Sequence, residues 1–583
     1  MKYIKILTLP ILLLASCNGS LNETPYAETL DVYQVDLLQN DDDPQLEKVK
    51  ERPIEVMFFK SKKHIPYLTF ATYASLFDPH FPSDVTSAVA HIGTGDVWTV
   101  TRAGKLLFSS TIDYETKVIT TFGSLEDNLK EGDNPRDLSL LYQGMDLEEE
   151  TFYTTDNPSG AKYSYNEYDI NQFVYNGEHY LPLGLYDVTY SNEAGLYFTY
   201  NYAHIFSSHE PDHFADVPFI ENKRTYSVNT QMAAKKKSSS MPNYLKKYNA
   251  NLFFYVLDNF YGLKNTRFKN AIDFCKANGT YQNLTTSNNF DRVQAYADTL
   301  AYLDDHHTAL VSASGGWGGE PFVRRRYGEN CLSRTNLAIS LRTNRPKQLG
   351  ANYESGSEII YSTDRRIAMF LFDSFIFGTK EEVYDSNGSL KSDAWKYDTI
   401  INLVKKFEAL KKVSSVKNVI LDMSTNGGGV VGVLMKVMSL ISKNNDSYLT
   451  IYDAINQQVD TVHTRIDSNN DGLYDENDVY GNDFNFYLLT SDVSFSCGNA
   501  LPYYAKAQGL AKTIGQKSGG GECAIAVHYL PNSEYVYHSS HLHIGDYDKE
   551  NKVFYGVESG AEPDITLNST SSFYDLDKLA RYI

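Results

Sequence analysis

The C-terminal part of this sequence alternates between apolar strand-like runs and segments with helical spacing, and this pattern limits its fold more than any other feature. Residues 367–372, 419–423 and 486–490 are short apolar runs of the kind found in buried strands. Residues 397–411 and 430–441 lie between these runs and carry apolar residues at helical spacing. Strands that alternate with helices in this way predict an α/β fold.

The rest of the chain has different patterns, which divide it into regions. Residues 53–232 are rich in Tyr, Phe, Thr and Val, in short runs broken by Gly, Asn and Asp, and this predicts a β-rich region. The basic, serine-rich stretch AAKKKSSS at 233–240 is the best candidate for a domain boundary. Residues 240–310 have helical spacing and predict a helical subdomain, which is followed by the α/β core at 365–575.

The first sixteen residues have the features of an export signal. Basic residues precede an apolar run that is too short to span a bilayer, so this segment predicts a signal peptide that is removed. Cys17, which follows the small residues Ala15 and Ser16, resembles the acylated cysteine of bacterial lipoproteins. A plain signal peptide with an incidental cysteine is the alternative. Lipidation predicts a protein anchored in the bacterial cell envelope, outside the cytoplasm, with residues 17–52 as a flexible tether.

Charge limits the partners of this chain. The 53 Lys and Arg residues against 73 Asp and Glu residues give a net charge of −20, and no run of cations forms a basic stripe. Because affinity for nucleic acid depends mainly on clustered cations, nucleic-acid binding is not expected. The oligomeric state is left open by the sequence.

Segments rich in small residues follow the predicted strands of the core. Residues 421–429 run from a strand into the triple glycine Gly427–Gly429 and then a helix, an arrangement that lets backbone N–H groups approach a ligand. In residues 489–500 a strand ends in a turn that contains Ser496, just before another helix. A serine at a helix N-terminus has its alkoxide stabilised by the helix dipole. Two further segments belong to the same candidate site. They are the loop 515–523 and the sequence DDHHT at 304–308.

Taken together and in this order, these segments resemble the C-terminal-processing (tail-specific) serine peptidases, a family that includes the tricorn-type proteases. The resemblance covers about residues 240–575, with a D-x-H-T element at 305–308 and a G-V-x-P-D-like element at 560–564. It implies a ClpP/crotonase-like peptidase core and a polypeptide substrate. It also implies that Ser496 is the nucleophile and that the backbone N–H groups of Cys497 and one glycine, best Gly428, form the oxyanion hole.

The resemblance leaves the general base to be assigned. The position at which the processing peptidases carry a lysine falls on Gly521. Lys517 is nearby, but it precedes Ser518, whereas the family's lysine follows this loop. The tricorn-type branch uses histidine, which places the base on His307, with His306 as the alternative. The carboxylate that orients the histidine is expected to be Glu558 or, as second choice, Glu562.

Several features leave other interpretations open. Asn499 stands where the family usually has glutamate, and the gap between Thr308 and residue 367 is short for the PDZ domain of many relatives. The missing lysine and the replacement by Asn499 make a catalytically inactive peptidase fold, acting as a binding or scaffold lipoprotein, the alternative function. The Cys497 thiol is a rival nucleophile. Four cysteines follow Cys17, namely Cys275, Cys331, Cys497 and Cys523. They permit disulfides, but the sequence does not select a pairing.

Residues 467–478 have the spacing of the calcium loop of EF-hands and dockerins, with Gly472 at loop position 6. The predicted ligands are Asp467, Asn469, Asp471, Leu473 (through its carbonyl), Asp475 and Asp478. Aspartate in place of glutamate at the last position should weaken binding, and a solvated acidic turn is the alternative. Bound calcium would be structural, and it is expected to hold the two sides of the oxyanion hole in register.

Overall fold

The computed structural model describes most of the chain. The described residues are 23–37, 46–125, 128–129, 144–155, 160–208, 218–221, 224–227, 240–312, 326–532 and 534–583. The predicted signal peptide, the lipidation residue Cys17 and nearly all of the predicted boundary at 233–240 lie outside these ranges. Within the described ranges, no helix is long and apolar enough to cross a membrane.

A six-stranded sheet forms the centre of the α/β core. Neighbouring strands run parallel, except that the first edge strand is antiparallel to its neighbour. The inner strands are buried on both faces, which explains their continuous apolar runs. The strand order is Ile360–Tyr361, Ile367–Leu371, Asn418–Asp422, Asn485–Thr490, Lys512–Gly515 and Ile565–Thr566.

Helices cover both faces of this sheet. One face packs against helices Thr399–Lys411, Val431–Leu440 and Cys497–Ala507 through a core that includes Phe407 and Leu434. The other face packs against Glu329–Leu349 and Leu576–Leu579. The described α-helices are Phe70–Ala74, Leu183–Tyr186, Asn243–Phe260, Lys264–Arg267, Ala271–Ala277, Asn289–Tyr302, Glu329–Leu349, Ala351–Glu354, Lys380–Val383, Thr399–Lys411, Val431–Leu440, Cys497–Ala507 and Leu576–Leu579.

A second sheet lies beside the core and joins distant parts of the chain. Its strands are Ala309–Ser312, Tyr535–Asp548, Ser447–Asp453, Gln458–Ile466 and Met145–Tyr153 in that order, with Cys523–Tyr529 and Val553–Gly556 also paired to Tyr535–Asp548. The strand Met145–Tyr153 comes from the predicted N-terminal region but pairs with Gln458–Ile466 along its full length. The N-terminal region is therefore tied to the core by backbone hydrogen bonds.

The N-terminal region is rich in strands. One seven-stranded sheet has the order Phe173–Tyr175, Glu178–Pro182, Tyr67–Leu68, Leu46–Phe58, Tyr26–Leu37, Ile205–Ser208 and Tyr197–Tyr200. A five-stranded sheet has the order Val85–Ile92, Gly95–Arg102, Lys105–Asp113, Val118–Gly123 and Ala161–Ser164, and a two-stranded ribbon joins Pro218–Glu221 to Arg224–Ser227. The mixed α/β fold with a β-rich N-terminal region is thus confirmed.

The structure differs from the predicted tether at residues 17–52. Within that segment, Tyr26–Leu37 is a central strand, antiparallel to Leu46–Phe58 and parallel to Ile205–Ser208. The acidic sequence is typical of a tether, but the apolar side chains of Leu30, Val32 and Tyr33 are buried in the sheet. The pairing of Val32 with Ile205, 205 − 32 = 173 residues further along the chain, is a tertiary effect that local composition does not report.

The predicted helical subdomain is the bundle that begins with helix Asn243–Phe260, and its core is continuous with that of the N-terminal sheets. Leu252 and Phe253 of this helix pack in the same cluster as Trp98 and Tyr186. In the short gap after Thr308, residues 326–366 are described as the helix Glu329–Leu349, a short helix and an edge strand, and these described residues contain no separate domain.

Candidate active site

Ser496 lies at a sharp turn between a strand of the central sheet and a helix. The strand Asn485–Thr490 ends, and Ser496 caps the helix Cys497–Ala507 with φ 56° and ψ −126°. A serine with positive φ is strained by about 1–3 kcal/mol, and such strain is retained mainly at functional sites. Ser496 is half-buried while its neighbours Phe495 and Cys497 are buried, so the hydroxyl-bearing residue is the most exposed of the three.

Backbone hydrogen bonds hold this turn from two sides. The N–H of Ser496 donates to the carbonyl of Gly520 at 2.9 Å. On the other side, the N–H of Phe495 donates to the carbonyl of Asn426 at 3.0 Å. The loops at the ends of three neighbouring parallel strands therefore meet at Ser496, and this convergence explains why three separate small-residue motifs belong to one site.

The triple glycine packs directly against Ser496. A Cβ at Gly428 would lie 2.7 Å from Ser496 Cβ and 3.0 Å from Ser496 Oγ, and Gly428 has φ 105°. At Gly429, φ is 141° and a Cβ would lie 2.2 Å from the carbonyl oxygen of Phe375. Both the close approach and the backbone angles require glycine at these two positions.

Two of the N–H groups around Ser496 are available to a ligand. Within the described residues, no hydrogen-bond partner accepts from the N–H of Cys497 or of Gly429. The N–H of Gly428, which is the predicted glycine donor, instead donates to Asn426 Oδ1 at 2.9 Å. Gly429 and Gly427 both line the cleft beside Ser496. Gly428 therefore stays a prediction as oxyanion donor, and it must share or release its bond to Asn426 to fill that role.

His307 lines the same cavity as Ser496. This cavity has a volume of about 540 Å³, and its wall also includes Val431, Ile525 and Ile544. The His307 side chain is 6% exposed, and its Nδ1 is buried without a hydrogen-bond partner in the described residues. No hydrogen bond joins His307 to Ser496 in this structure, an arrangement that is common in substrate-free active sites.

The environment of His307 keeps its imidazole neutral. Burial lowers the pKa of His307 below its ordinary value of 6.5, and the positive charge of Arg334, like that of His306 when it is protonated, acts in the same direction. The negative charge of Asp305 opposes them. A neutral imidazole at pH 7 can accept a proton from a serine hydroxyl.

Asp305 fixes the loop that carries His307. Its carboxylate accepts hydrogen bonds from the backbone N–H of His307 at 2.9 Å, from Thr308 Oγ1 at 2.7 Å and from Ser539 Oγ at 2.7 Å. The hydroxyl of Tyr261 donates a further bond at 3.2 Å. These bonds explain the D-x-H-T spacing, because the aspartate folds back onto the base itself and onto the threonine that follows it.

Phe495 fills the space in which a lysine base would have to lie. A Cβ at Gly521 would be 2.5 Å from the Phe495 ring, so no side chain fits at that position. The ring contacts His307 at 4.8 Å between centroids and is covered on another side by the guanidinium of Arg334, also at 4.8 Å. Lys517 points elsewhere and pairs with Glu562 at 2.9 Å on the surface.

The two predicted carboxylates do not contact His307. Glu558 accepts hydrogen bonds from the backbone N–H groups of Gly521 and Glu522, both at 3.1 Å, and lies 3.4 Å from Arg267. Burial raises the pKa of Glu558. The alternative base His306 is held by a contact with the backbone, because its Nε2 lies 3.1 Å from the carbonyl oxygen of Cys331. Its ring borders the cavity.

The residues that depart from the family pattern have structural contacts. Asn499 is buried, donates to the carbonyl of Val557 at 3.0 Å and accepts from Ser518 Oγ at 2.7 Å. The Cys497 thiol donates to the carbonyl of Gly429 at 3.2 Å, and burial raises its pKa to about 12. A neutral, buried thiol is a poor nucleophile. All four described cysteines are free thiols.

A buried ionic network lies beneath the glycine loop, and sequence reasoning did not find it. Arg345 is fully buried and pairs with Glu354 at 2.7 Å, with Asp422 at 3.5 Å and with Asp373 at 3.5 Å. Its Nη1 also donates to Thr425 Oγ1 at 2.9 Å. Asp422 ends a central strand and Thr425 begins the glycine loop, so this network supports the loop from below. The only sequence signal for this network was an arginine inside an otherwise apolar helix face.

The predicted calcium loop is a surface loop whose last residue is buried. Asp478 is fully buried, and its carboxylate accepts hydrogen bonds from the N–H groups of Asn469 and Asp475. Asp467 accepts from the N–H groups of Asp471 and Gly472. Burial and the charge of Asp467 raise the pKa of Asp478. Within this described loop, no three carboxylate residues each place an oxygen within 4.8 Å of the other two.

Comparison with known proteins gives one family and several distant structures. Residues 388–567 match Peptidase family S41. A Parabacteroides merdae protein assigned as a peptidase is 18% identical, with 58% of this chain and 96% of that chain covered and a TM-score of 0.41. Mature CPAF complexed with lactacystin is 12% identical, with 58% and 97% covered and a TM-score of 0.36. The photosystem II D1 C-terminal processing protease is 17% identical, with 37% and 46% covered and a TM-score of 0.27. No curated protein sequence matches.

Proposed function

Since residues 388–567 are a domain of peptidase family S41, we propose that this chain hydrolyses polypeptides with Ser496 as its nucleophile and His307 as its general base. The observation that carries the proposal is the strained turn at Ser496, which lies in one cavity with a buried, neutral imidazole and with Gly429, whose backbone N–H has no partner among the described residues. The N–H of Cys497, likewise unpartnered there, directly follows Ser496 in the chain. A strained serine, a proton acceptor and hydrogen-bond donors for an oxyanion at one place are the groups that acyl transfer requires.

The reaction follows from these positions. Ser496 Oγ attacks the carbonyl carbon of the peptide while His307 accepts the hydroxyl proton. The carbonyl oxygen becomes an oxyanion, which the N–H of Cys497 and an N–H of the glycine loop stabilise. His307 then gives its proton to the leaving amine, and water hydrolyses the acyl-enzyme by the same route. The apolar wall formed by Val431, Ile525 and Ile544 favours an apolar substrate side chain beside the cleaved bond.

A second function is favoured by one specific observation. The N–H of Gly428, the predicted oxyanion donor, is bonded to Asn426. This bond fits a peptidase fold that binds polypeptides without cleaving them. The tail-specific, tricorn-like subtype also belongs to the proposal. A position outside the cytoplasm is a further part of it, and the predicted lipid anchor on Cys17 is the basis for that position.

Labelling with a fluorophosphonate probe tests the catalytic proposal. We expect wild-type protein to form a covalent adduct on Ser496, located by mass spectrometry of the digested protein, and Ser496→Ala to form none. The matched control is Cys497→Ala, which removes the neighbouring thiol and is expected to retain labelling. Absence of labelling in folded wild type would favour the binding function, and labelling that survives Ser496→Ala but not Cys497→Ala would identify the thiol as the nucleophile.

Calcium binding to the loop 467–478 is a further part of the proposal. The loop carries five carboxylates, and no salt bridge joins any of them to a lysine or arginine among the described residues. The buried Asp478 beside the charge of Asp467 is the position at which a cation would relieve most repulsion. Asp467, Asn469, Asp471, Asp475 and Asp478 would hold the ion with the carbonyl of Leu473, and the ion would be structural.

We expect calcium to raise the thermal unfolding midpoint, because an ion that binds only the folded state at 100 times its Kd adds about 2.7 kcal/mol to the free energy of unfolding. Differential scanning fluorimetry with calcium or with chelator measures this shift. Asp467→Asn should abolish it, whereas Asp446→Asn, a carboxylate outside the loop, should leave it intact. A midpoint that does not respond to calcium in wild type would contradict the proposal.

A further inference from the structure

Glu522, Cys523 and His543 place three different metal-ligating groups at one point. One ligand atom from each side chain lies within 4.8 Å of the other two, and this is the one such group in the described part of the chain. Cys523 Sγ is 3.6 Å from His543 Nδ1, and Glu522 Oε1 is 2.8 Å from the same nitrogen. From this geometry we propose that these residues form a binding site for a thiophilic divalent cation, with Zn²⁺ as the best fit.

The distances between the ligand atoms suit tetrahedral zinc. Zinc lies about 2.3 Å from sulfur and about 2.0–2.1 Å from nitrogen, so a tetrahedral angle separates the two ligand atoms by about 3.5 Å. The observed separation between Cys523 Sγ and His543 Nδ1 is 3.6 Å. The Glu522 oxygen has to move away from His543 Nδ1 by only about half an ångström, since zinc–oxygen bonds are about 2.0–2.2 Å long.

Strand register preorganises the site. Cys523 and His543 are direct partners in the antiparallel pairing of strands Cys523–Tyr529 and Tyr535–Asp548, so their side chains lie on the same face. The register shifts between Cys523 and Ile525, which marks an irregularity at the start of this strand. Glu522 precedes the strand, where its direction is not fixed by the strand alternation, and its carbonyl accepts from the N–H of Ile544 at 2.8 Å.

The surroundings favour a cation and provide an entry path. The carboxylates of Glu522, Glu558 and Asp305 place negative charge close enough to Cys523 to act on its thiol, and negative charge attracts a cation. Cys523 is 2% exposed but forms part of the wall of the cavity that contains Ser496, and the side chains of Glu522 and His543 are each 12% exposed. Three protein ligands leave the fourth tetrahedral position for water or for a group of the substrate.

Coordination requires defined proton positions. The Cys523 thiol proton leaves to solvent as the sulfur binds the ion, and the imidazole proton of His543 resides on Nε2, so that the Nδ1 lone pair faces the metal. Glu522 binds as the carboxylate through Oε1, while its Oε2 keeps the hydrogen bond from the N–H of Glu558 at 2.8 Å. The loop at 467–478 contains no cysteine, so a thiolate–metal bond distinguishes this site from that loop.

Cobalt(II) titration of the full chain tests the site independently of peptidase activity. Protein is first treated with a chelator, and Co²⁺ is then added while the near-ultraviolet absorbance is followed, because a thiolate–Co²⁺ bond adds a charge-transfer band. We expect one equivalent of Co²⁺ to produce the band and Zn²⁺ to bleach it. Cys523→Ser and His543→Ala should lose the band, and Glu522→Gln should bind at least about tenfold more weakly.

The matched control is Cys275→Ser, because Cys275 is a buried thiol whose side-chain hydrogen-bond partners are Thr280 and Thr299. This variant should keep the full band. Circular dichroism of each metal-free variant checks that it folds. If Cys523→Ser does not fold, Glu522→Gln is the variant that tests the site, because it is a conservative change at a partly exposed side chain. The absence of a band in wild type, or a band that persists in Cys523→Ser, would overturn the proposal, and neither result bears on labelling of Ser496.

Discussion

Replacing His307 with alanine is expected to lower kcat/KM for peptide hydrolysis on the order of 10⁴- to 10⁶-fold, because the serine hydroxyl then has no proton acceptor. Initial rates on a fluorogenic peptide library measure the loss, and circular dichroism shows whether the buried site tolerates the smaller side chain. His306→Ala is the matched control, since His306 is the adjacent residue in the same loop and its ring also lies against Phe495, with 5.5 Å between centroids. This control should lose less than about tenfold.

The pH profile distinguishes a base from a merely structural histidine. The base must be neutral, so kcat/KM should fall as the pH is lowered through the pKa of His307, which burial places below 6.5. The acid limb should therefore lie below pH 6.5. Because the charge of His306 also lowers the pKa of His307, His306→Ala should move this limb to higher pH. If His306→Ala abolishes hydrolysis and His307→Ala does not, the assignment of the base is wrong.

Replacing Arg345 with methionine is expected to lower the free energy of unfolding by about 3–5 kcal/mol. The guanidinium is fully buried among Glu354, Asp373 and Asp422, and its removal leaves these carboxylates without their counter-charge. Burial already raises the pKa of Asp373. Urea unfolding followed by tryptophan fluorescence measures the change. Fluorophosphonate labelling of the folded variant should also slow, since Thr425 at the start of the glycine loop loses its bond to Arg345.

Arg366→Met is the matched control for Arg345→Met. Arg366 pairs with Asp364 at 2.6 Å, but their side chains are 73% and 45% exposed, and solvent screens such a pair. The control should change the free energy of unfolding by less than about 1 kcal/mol. Equal losses in the two variants would mean that the buried network contributes no more than a surface ion pair.

The active-site segments were predictable because their signal is local. The Ser496 turn and the glycine run Gly427–Gly429 need small residues and unusual backbone angles, and such requirements appear directly in the sequence. The family prediction is confirmed for residues 388–567. His307 lies outside that range, and its role stays a prediction that rests on the D-x-H-T spacing and on the shared cavity.

Other features depended on contacts that local patterns do not contain. The strand Tyr26–Leu37 lies in a segment with the composition of a tether, and it is ordered by pairing with Ile205–Ser208. The strand Met145–Tyr153 crosses from the N-terminal region into the second sheet of the core. The ring of Phe495 occupies the lysine position because Gly521 faces it across a turn. The choice of orienting carboxylate for His307 also needs three dimensions, and neither Glu558 nor Glu562 contacts the imidazole.

The sequence by itself determined the α/β core, its order of strands and helices, and the identity of the small residues at the site. These follow from hydrophobic periodicity and backbone angles, which are properties of neighbouring residues. Only the tertiary structure decided which distant groups meet. Strand register set Cys523 opposite His543, and the parallel sheet brought the loops at Asn426, Ser496 and Gly520 together, because contacts between residues far apart in the chain arise only when strands pair.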